Sequence, residues 1–173
     1  MSHYGDRCAC CGESNPLFLS IDHISDAHHR QLSKPDSGLG LFSRLRRENY
    51  PSGYRVLCHN CNTGRSRNGG MCPHSTNQYG GTALYSTIIS RDIVYNAYGS
   101  KCSCCGETNY MFLNIDHIDN DGSDDRKIRG SGHKFYKWLI HNNFPFDRYR
   151  LLCYNCNIGR ARNDGICPHV TIS

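Results

Sequence analysis

No run of residues in the chain is long and apolar enough to cross a membrane, and the opening stretch "MSHYGDRCACCG" lacks the apolar core of a secretory leader. These absences favour an intracellular, reducing location, in the cytoplasm or nucleoid of a host or in a nucleus. Acidic residues are the minority charge, 15 against 20 Lys and Arg, and the net +5 leans toward a polyanionic partner without identifying one. Room for a large core is also missing. A chain of 173 residues would ordinarily make one domain, yet an internal repeat divides it into units of about 70 residues. Units that small rarely bury enough apolar surface to be stable alone, so each needs a staple or a partner. Cysteine, by contrast, is abundant, with twelve residues. In a reducing compartment its CxxC spacings read as metal sites rather than as disulfides.

The repeat is explicit. "YGDRCACCGESNPLFLSIDHI" (Tyr4 to Ile24) aligns without a gap on "YGSKCSCCGETNYMFLNIDHI" (Tyr98 to Ile118), a period of 94 residues. After divergent middles, "YRVLCHNCNTGRSRNGGMCPH" (Tyr54 to His74) aligns on "YRLLCYNCNIGRARNDGICPH" (Tyr149 to His169), with one residue inserted after Pro145. Each copy is thus a complete module, over residues 1–74 and 98–173. The connecting residues 75–97 begin polar and Gly-rich, as linkers do. From about Ala83 they carry Leu84, Ile88, Ile89, Val94 and Tyr95 at loosely helical spacing, which predicts a helix leading into the second copy.

Within each copy, "FLSIDHI" and "FLNIDHI" predict a short strand running into a turn. "GLFSRLRREN" and "HKFYKWLIHNN" place Leu41, Phe42, Leu45 and Phe135, Trp138, Leu139 at three-to-four spacing before a proline, predicting a short helix with a basic outer face. "YRVLC" and "YRLLC" predict second strands, each turning into a helix at the following Cys-x-x-Cys-Asn segment. The expected class is α+β: two tandem, zinc-stapled modules of strand, loop, strand and helix.

Cys8, Cys11, Cys58 and Cys61 form two CxxC knuckles, repeated as Cys102, Cys105, Cys153 and Cys156. Four thiolates close a tetrahedral structural zinc site with no open position for catalysis, and binding of the ion would drive folding of a small module. Cys10, Cys72 and His74, with Cys104, Cys167 and His169, remain over. They suggest a second zinc site whose fourth ligand is not legible, since His28 and His29 have no histidine counterparts in the second copy; packed thiols are the alternative.

Asp22 and His23 sit between Ile21 and Ile24, and Asp116 and His117 repeat them. Metal-dependent phosphodiester cleavage needs a base to activate water, a divalent cation to neutralise charge, and hard oxygen ligands to hold that cation. An Asp offers the carboxylate and a His the base. Adjacent residues on a strand face opposite sides, so a bend or twist at the dyad is expected. Asn62 and Asn157, each next to the last zinc cysteine, complete the set; a turn pair and a helix cap are the plainer reading of these residues.

The arrangement CxxCG, FLxIDHI, LCxNCN, CPH resembles the HNH or ββα-metal endonucleases, most closely the zinc-containing type of phages and mobile elements akin to the recombination endonuclease VII family. The resemblance spans Tyr4 to His74 and Tyr98 to His169. It implies that His23 and His117 are general bases. It also implies that Asp22, Asn62, Asp116 and Asn157 hold a catalytic magnesium or manganese ion. The middle Asn of the strict HNH pattern is absent, and Arg55 and Arg150 occupy that region, so the orienting role is unassigned. Arg65, Arg67, Arg160 and Arg162 are expected to meet DNA phosphates, giving salt-dependent affinity rather than sequence reading, and Arg55 and Arg150 are counted with them as DNA-binding. Two copies in one chain then imply a monomer acting as a pseudo-dimer on double-stranded DNA, one site per strand, of homing or restriction character. A branched-DNA resolvase and a zinc-stabilised DNA-binding protein without cleavage are the alternatives.

Overall fold

In the computed structural model, which describes residues 2–24, 38–75 and 85–170, strand β1 (Leu19–His23) pairs antiparallel with β2 (Tyr54–Cys58). Strand β3 (Leu113–His117) pairs in the same way with β4 (Tyr149–Cys153). Helix α1 (Leu39–Arg47) lies between β1 and β2, and α2 (His59–Arg67) follows β2 directly. Helix α3 (Tyr85–Ala97) precedes the second copy. There α4 (Gly122–Arg129) and α5 (His133–His141) separate β3 from β4, and α6 (Tyr154–Ala161) follows. The fold is α+β, with six α-helices and two small antiparallel sheets among the described residues. No helix among them is long and apolar enough to cross a membrane.

Local chemistry explains these elements. Both knuckles turn through a glycine in the left-handed region, Gly12 at φ 81° and Gly106 at φ 79°, where a Cβ would be strained. The knuckle is then tied to the sheet, Ala9 N–H to Val56 O (2.9 Å) and Ser103 N–H to Leu151 O (2.9 Å). Each first strand is entered through a 3-10 turn capped by an asparagine, Asn15 Oδ1 accepting from Leu17 N and Asn109 Oδ1 from Met111 N.

Helix α1 buries Leu41 and Leu45 against Tyr54, but Phe42 is exposed, so the apolar stripe is narrower than its spacing predicts. In α5, Phe135 and Leu139 are buried and Trp138 is half-buried. Helix α4 falls in the divergent middle and had no apolar period to announce it. Its Ile128 is exposed, and the helix is anchored instead by the buried carboxylate of Asp125.

The copies meet at a junction built from equivalent contacts in both directions. Phe18 of the first copy lies in the second copy's core with Leu113, Leu139 and Leu151, against Gly159; Phe112 packs against Gly64. Asn60 and Asn155 each donate a backbone N–H to the other's side-chain oxygen. Such reciprocity marks an approximate two-fold relation. Val94 and Tyr95 of α3 are buried in the same core, so the helical part of the connecting segment belongs to the second copy's packing.

Candidate functional site

Four cysteine and histidine groups are positioned to hold a zinc ion. Cys8, Cys11, Cys58 and Cys61 form one in the first copy, and Cys102, Cys105, Cys153 and Cys156 its equivalent. A tetrahedral ion with Zn–S bonds of about 2.3 Å sets its sulfurs about 3.8 Å apart. Cys11 and Cys58 are 3.7 Å apart, as are Cys105 and Cys153. That is far beyond a disulfide bond, and the cysteines are free. Protons distribute unevenly over such a cluster. Hydrogen bonds from Cys58 and Cys61 hold the Cys8 thiol well below its ordinary value, while the same neighbourhood and burial push Cys61 far above it. Cys102 and Cys156 divide likewise. Four thiolates together need a cation, and this donor set fits zinc.

The second group in each copy is Cys10, Cys61, Cys72 and His74, or Cys104, Cys156, Cys167 and His169. The residue that completes each second group, which spacing did not disclose, is Cys61 or Cys156, and each also belongs to the first group. His74 Nδ1 lies 3.3 Å from Cys61 Sγ, 3.6 Å from Cys72 Sγ and 3.9 Å from Cys10 Sγ. A zinc-centred S···N edge is about 3.6 Å.

The dyads lie inside the ladders rather than at a bend. Asp22 is paired with Arg55 and His23 with Tyr54, and the turn begins one residue later, at Ile24. Asp22 shares its strand face with Ser20, to which Asn62 donates through Nδ2 at 3.2 Å; His23 packs against the Tyr54 ring at 4.7 Å. In the second copy Asn157 Nδ2 donates to Asn114 Oδ1, a bond that does not use its amide oxygen. Here Asp116, His117 and Asn157 line one cavity of about 320 Å³, with Arg126 also on its wall. A cleft of about 410 Å³ in the first copy is a different one: Arg55, Arg65, Cys10 and Cys72 line it, and Asp22, His23 and Asn62 do not.

The six arginines expected to bind DNA all have partners within the chain. Arg55 donates to Asp22 at 3.0 Å and Arg65 approaches it at 3.5 Å; Arg150 and Arg160 do the same for Asp116 at 2.9 and 3.4 Å. Arg67 and Arg162 donate across the junction, to Leu113 O and Leu19 O. A buried carboxylate recruits the nearest guanidinium, and a buried strand end recruits a donor for its carbonyls, before either cation is left for solvent. Even with two arginines beside it, burial pushes the Asp116 carboxyl above its ordinary value.

Asp125 escaped sequence reading because it has no counterpart; 94 positions earlier stands Gln31, outside the described residues. Its carboxylate is buried, 3.0 Å from His117 Nε2 and 3.0 Å from the Tyr149 hydroxyl, with Arg129 also in contact. When Nε2 carries the proton and donates it to Asp125, the lone pair of His117 is at Nδ1, beside Gly122. Burial pushes the His117 imidazole below its ordinary value, although Asp121 and Asp116 pull the other way. Comparisons with protein-family models, with curated proteins and with solved structures find no match to the chain.

Proposed function

We propose that the chain is a divalent-metal-dependent DNA endonuclease of the ββα-metal kind, built as two zinc-stapled modules that cut one strand each as a covalent pseudo-dimer. The observation that carries this reading is the cavity joining Asp116, His117 and Asn157. It presents a base and two hard oxygen donors together, as water activation on a phosphodiester requires.

In the second copy, His117 Nδ1 takes the proton of a water attacking phosphorus. Asp125 holds the ring and stabilises the imidazolium that forms. Asp116 and Asn157 would hold a magnesium or manganese ion, which supplies charge neutralisation at the phosphate and the leaving oxygen. Arg126, on the cavity wall, adds a cation toward the same phosphate. In the first copy Asp22, His23 and Asn62 take the same roles on an equivalent strand and helix.

Supercoiled plasmid incubated with magnesium or manganese tests this. Linear product is expected from the unaltered chain, nicked circles from His23→Ala or His117→Ala alone, and no cutting from the double variant. Plasmid that stays supercoiled at every enzyme concentration, with the protein folded and zinc-loaded, would overturn the proposal.

A further inference from the structure

The two metal-ligating groups of each copy are not separate sites. Cys61 belongs to both groups of the first copy and Cys156 to both of the second, and every ligand atom of a group lies within 4.8 Å of the others. The geometry points to a dinuclear zinc cluster in each copy, with a single thiolate, Cys61 or Cys156, bridging the two ions.

The coordination closes. Two four-coordinate ions need eight ligand positions, and seven residues supply them when one sulfur counts twice. No position is left for water, so the cluster is structural. Within the Cys8 to Cys11 stretch, Cys8 and Cys11 serve the inner ion while Cys10 serves the outer one with Cys72 and His74. The shared sulfur sits where a bridge is best supported. Cys61 and Cys156 are both fully buried, in the first turn of α2 and α6, where the positive end of the helix faces the negative cluster. Sharing also spares each cluster one additional buried thiolate.

The outer ion does more than fill a gap. It pins His74, whose ring lies 4.9 Å from Phe112 of the other copy, and in return His169 lies 4.8 Å from Phe18. Phe112 and Phe18 are the rings that pack against Gly64 and Gly159 at the junction. The outer ions therefore fasten the segments that clasp one copy to the other.

The zinc-loaded full-length chain, measured by native mass spectrometry under reducing conditions, is expected to carry four ions, one for each ligand group. Loaded with cadmium-113, it should give resonances split by metal-to-metal coupling through the shared sulfur, one ion of each pair bound by sulfur alone and the other by sulfur and nitrogen. Cys10→Ala should lower the count by one ion, whereas Cys61→Ala should lower it by two. Two ions in the unaltered chain, unsplit resonances from the fully loaded chain, or loss of a single ion from Cys61→Ala would each overturn the bridge. The cadmium spectrum is read on the unaltered chain, so a variant that fails to fold does not shelter the proposal.

Discussion

Asn60 and Asn155 cap each other's helices: the backbone N–H of each donates to the side-chain oxygen of the other, at 2.9 Å in both directions. Each residue lies in the first turn of its helix, where N–H groups have no partner within the helix itself. Both are buried, so water is a poor substitute. Replacing Asn155 by Ala leaves the Asn60 N–H buried without its acceptor, at a cost of about 1–3 kcal/mol. Chemical unfolding of zinc-loaded protein should show this loss, and because each single variant removes a different one of the two hydrogen bonds, the double variant should lose about as much as the two singles added together.

The glycines facing the junction are equally specific. A Cβ on Gly64 would fall 2.5 Å from Phe112, and one on Gly159 would strike Phe18. Neither glycine has a positive φ, so alanine would be acceptable to the backbone and the penalty is one of overpacking, about 1–3 kcal/mol. Gly64→Ala should lower the unfolding midpoint while leaving the zinc count unchanged. An unaltered midpoint would mean that Phe112 is not seated as described.

Much of this was legible in the sequence, and what was not shares a physical cause. Cys8, Cys11, Cys58 and Cys61 announce themselves because a knuckle is a local device whose spacing follows from the size of the ion. The bridging role of Cys61 does not, since ligand spacing gives no sign that one sulfur belongs to two groups. Phe18 and Phe112 read as strand-entry residues of their own copies, and only packing of one copy on the other turns them into junction anchors. Long arginine side chains choose their partner in three dimensions, so position alone did not disclose that Arg67 and Arg162 reach Leu113 O and Leu19 O across the junction. Asp125 was hidden by the repeat itself, because comparison of copies highlights what recurs and it does not recur.

His59 makes the junction sensitive to acid. It is buried beside Arg162, and burial together with that positive charge pushes its imidazole down to about 4. Its ordinary value is near 6.5, so the unfolded chain takes up the proton first and stability falls as pH drops from about 6.5 toward about 4. By pH 5.5 the loss should be about 1 kcal/mol. The equivalent residue is Tyr154, whose ring instead receives the Arg67 guanidinium, 4.9 Å from its centre. His59→Tyr should flatten the dependence of unfolding free energy on pH between 7 and 5.5. Metal content must be followed in parallel, so that acid release of zinc is not mistaken for titration of the histidine.

On the proposed reading, Gly122 keeps open the space beside the general base of the second copy. A Cβ there would lie 2.9 Å from His117 Nδ1, in the space a water must occupy to be activated, and would also crowd Arg126. The glycine is the first residue of α4 and has no positive φ, so alanine suits its backbone. Gly122→Ala should fold and bind zinc as the parent does while cutting by the second copy falls at least a hundredfold, the scale of losing a general base. Plasmid assays would then show nicked circles persisting where the parent gives linear DNA. Asp125→Asn should slow the same strand through a different route, by weakening the hold on His117 Nε2 and the support for its imidazolium. Linear product at the parental rate from Gly122→Ala would place the base of the second copy somewhere other than His117 Nδ1.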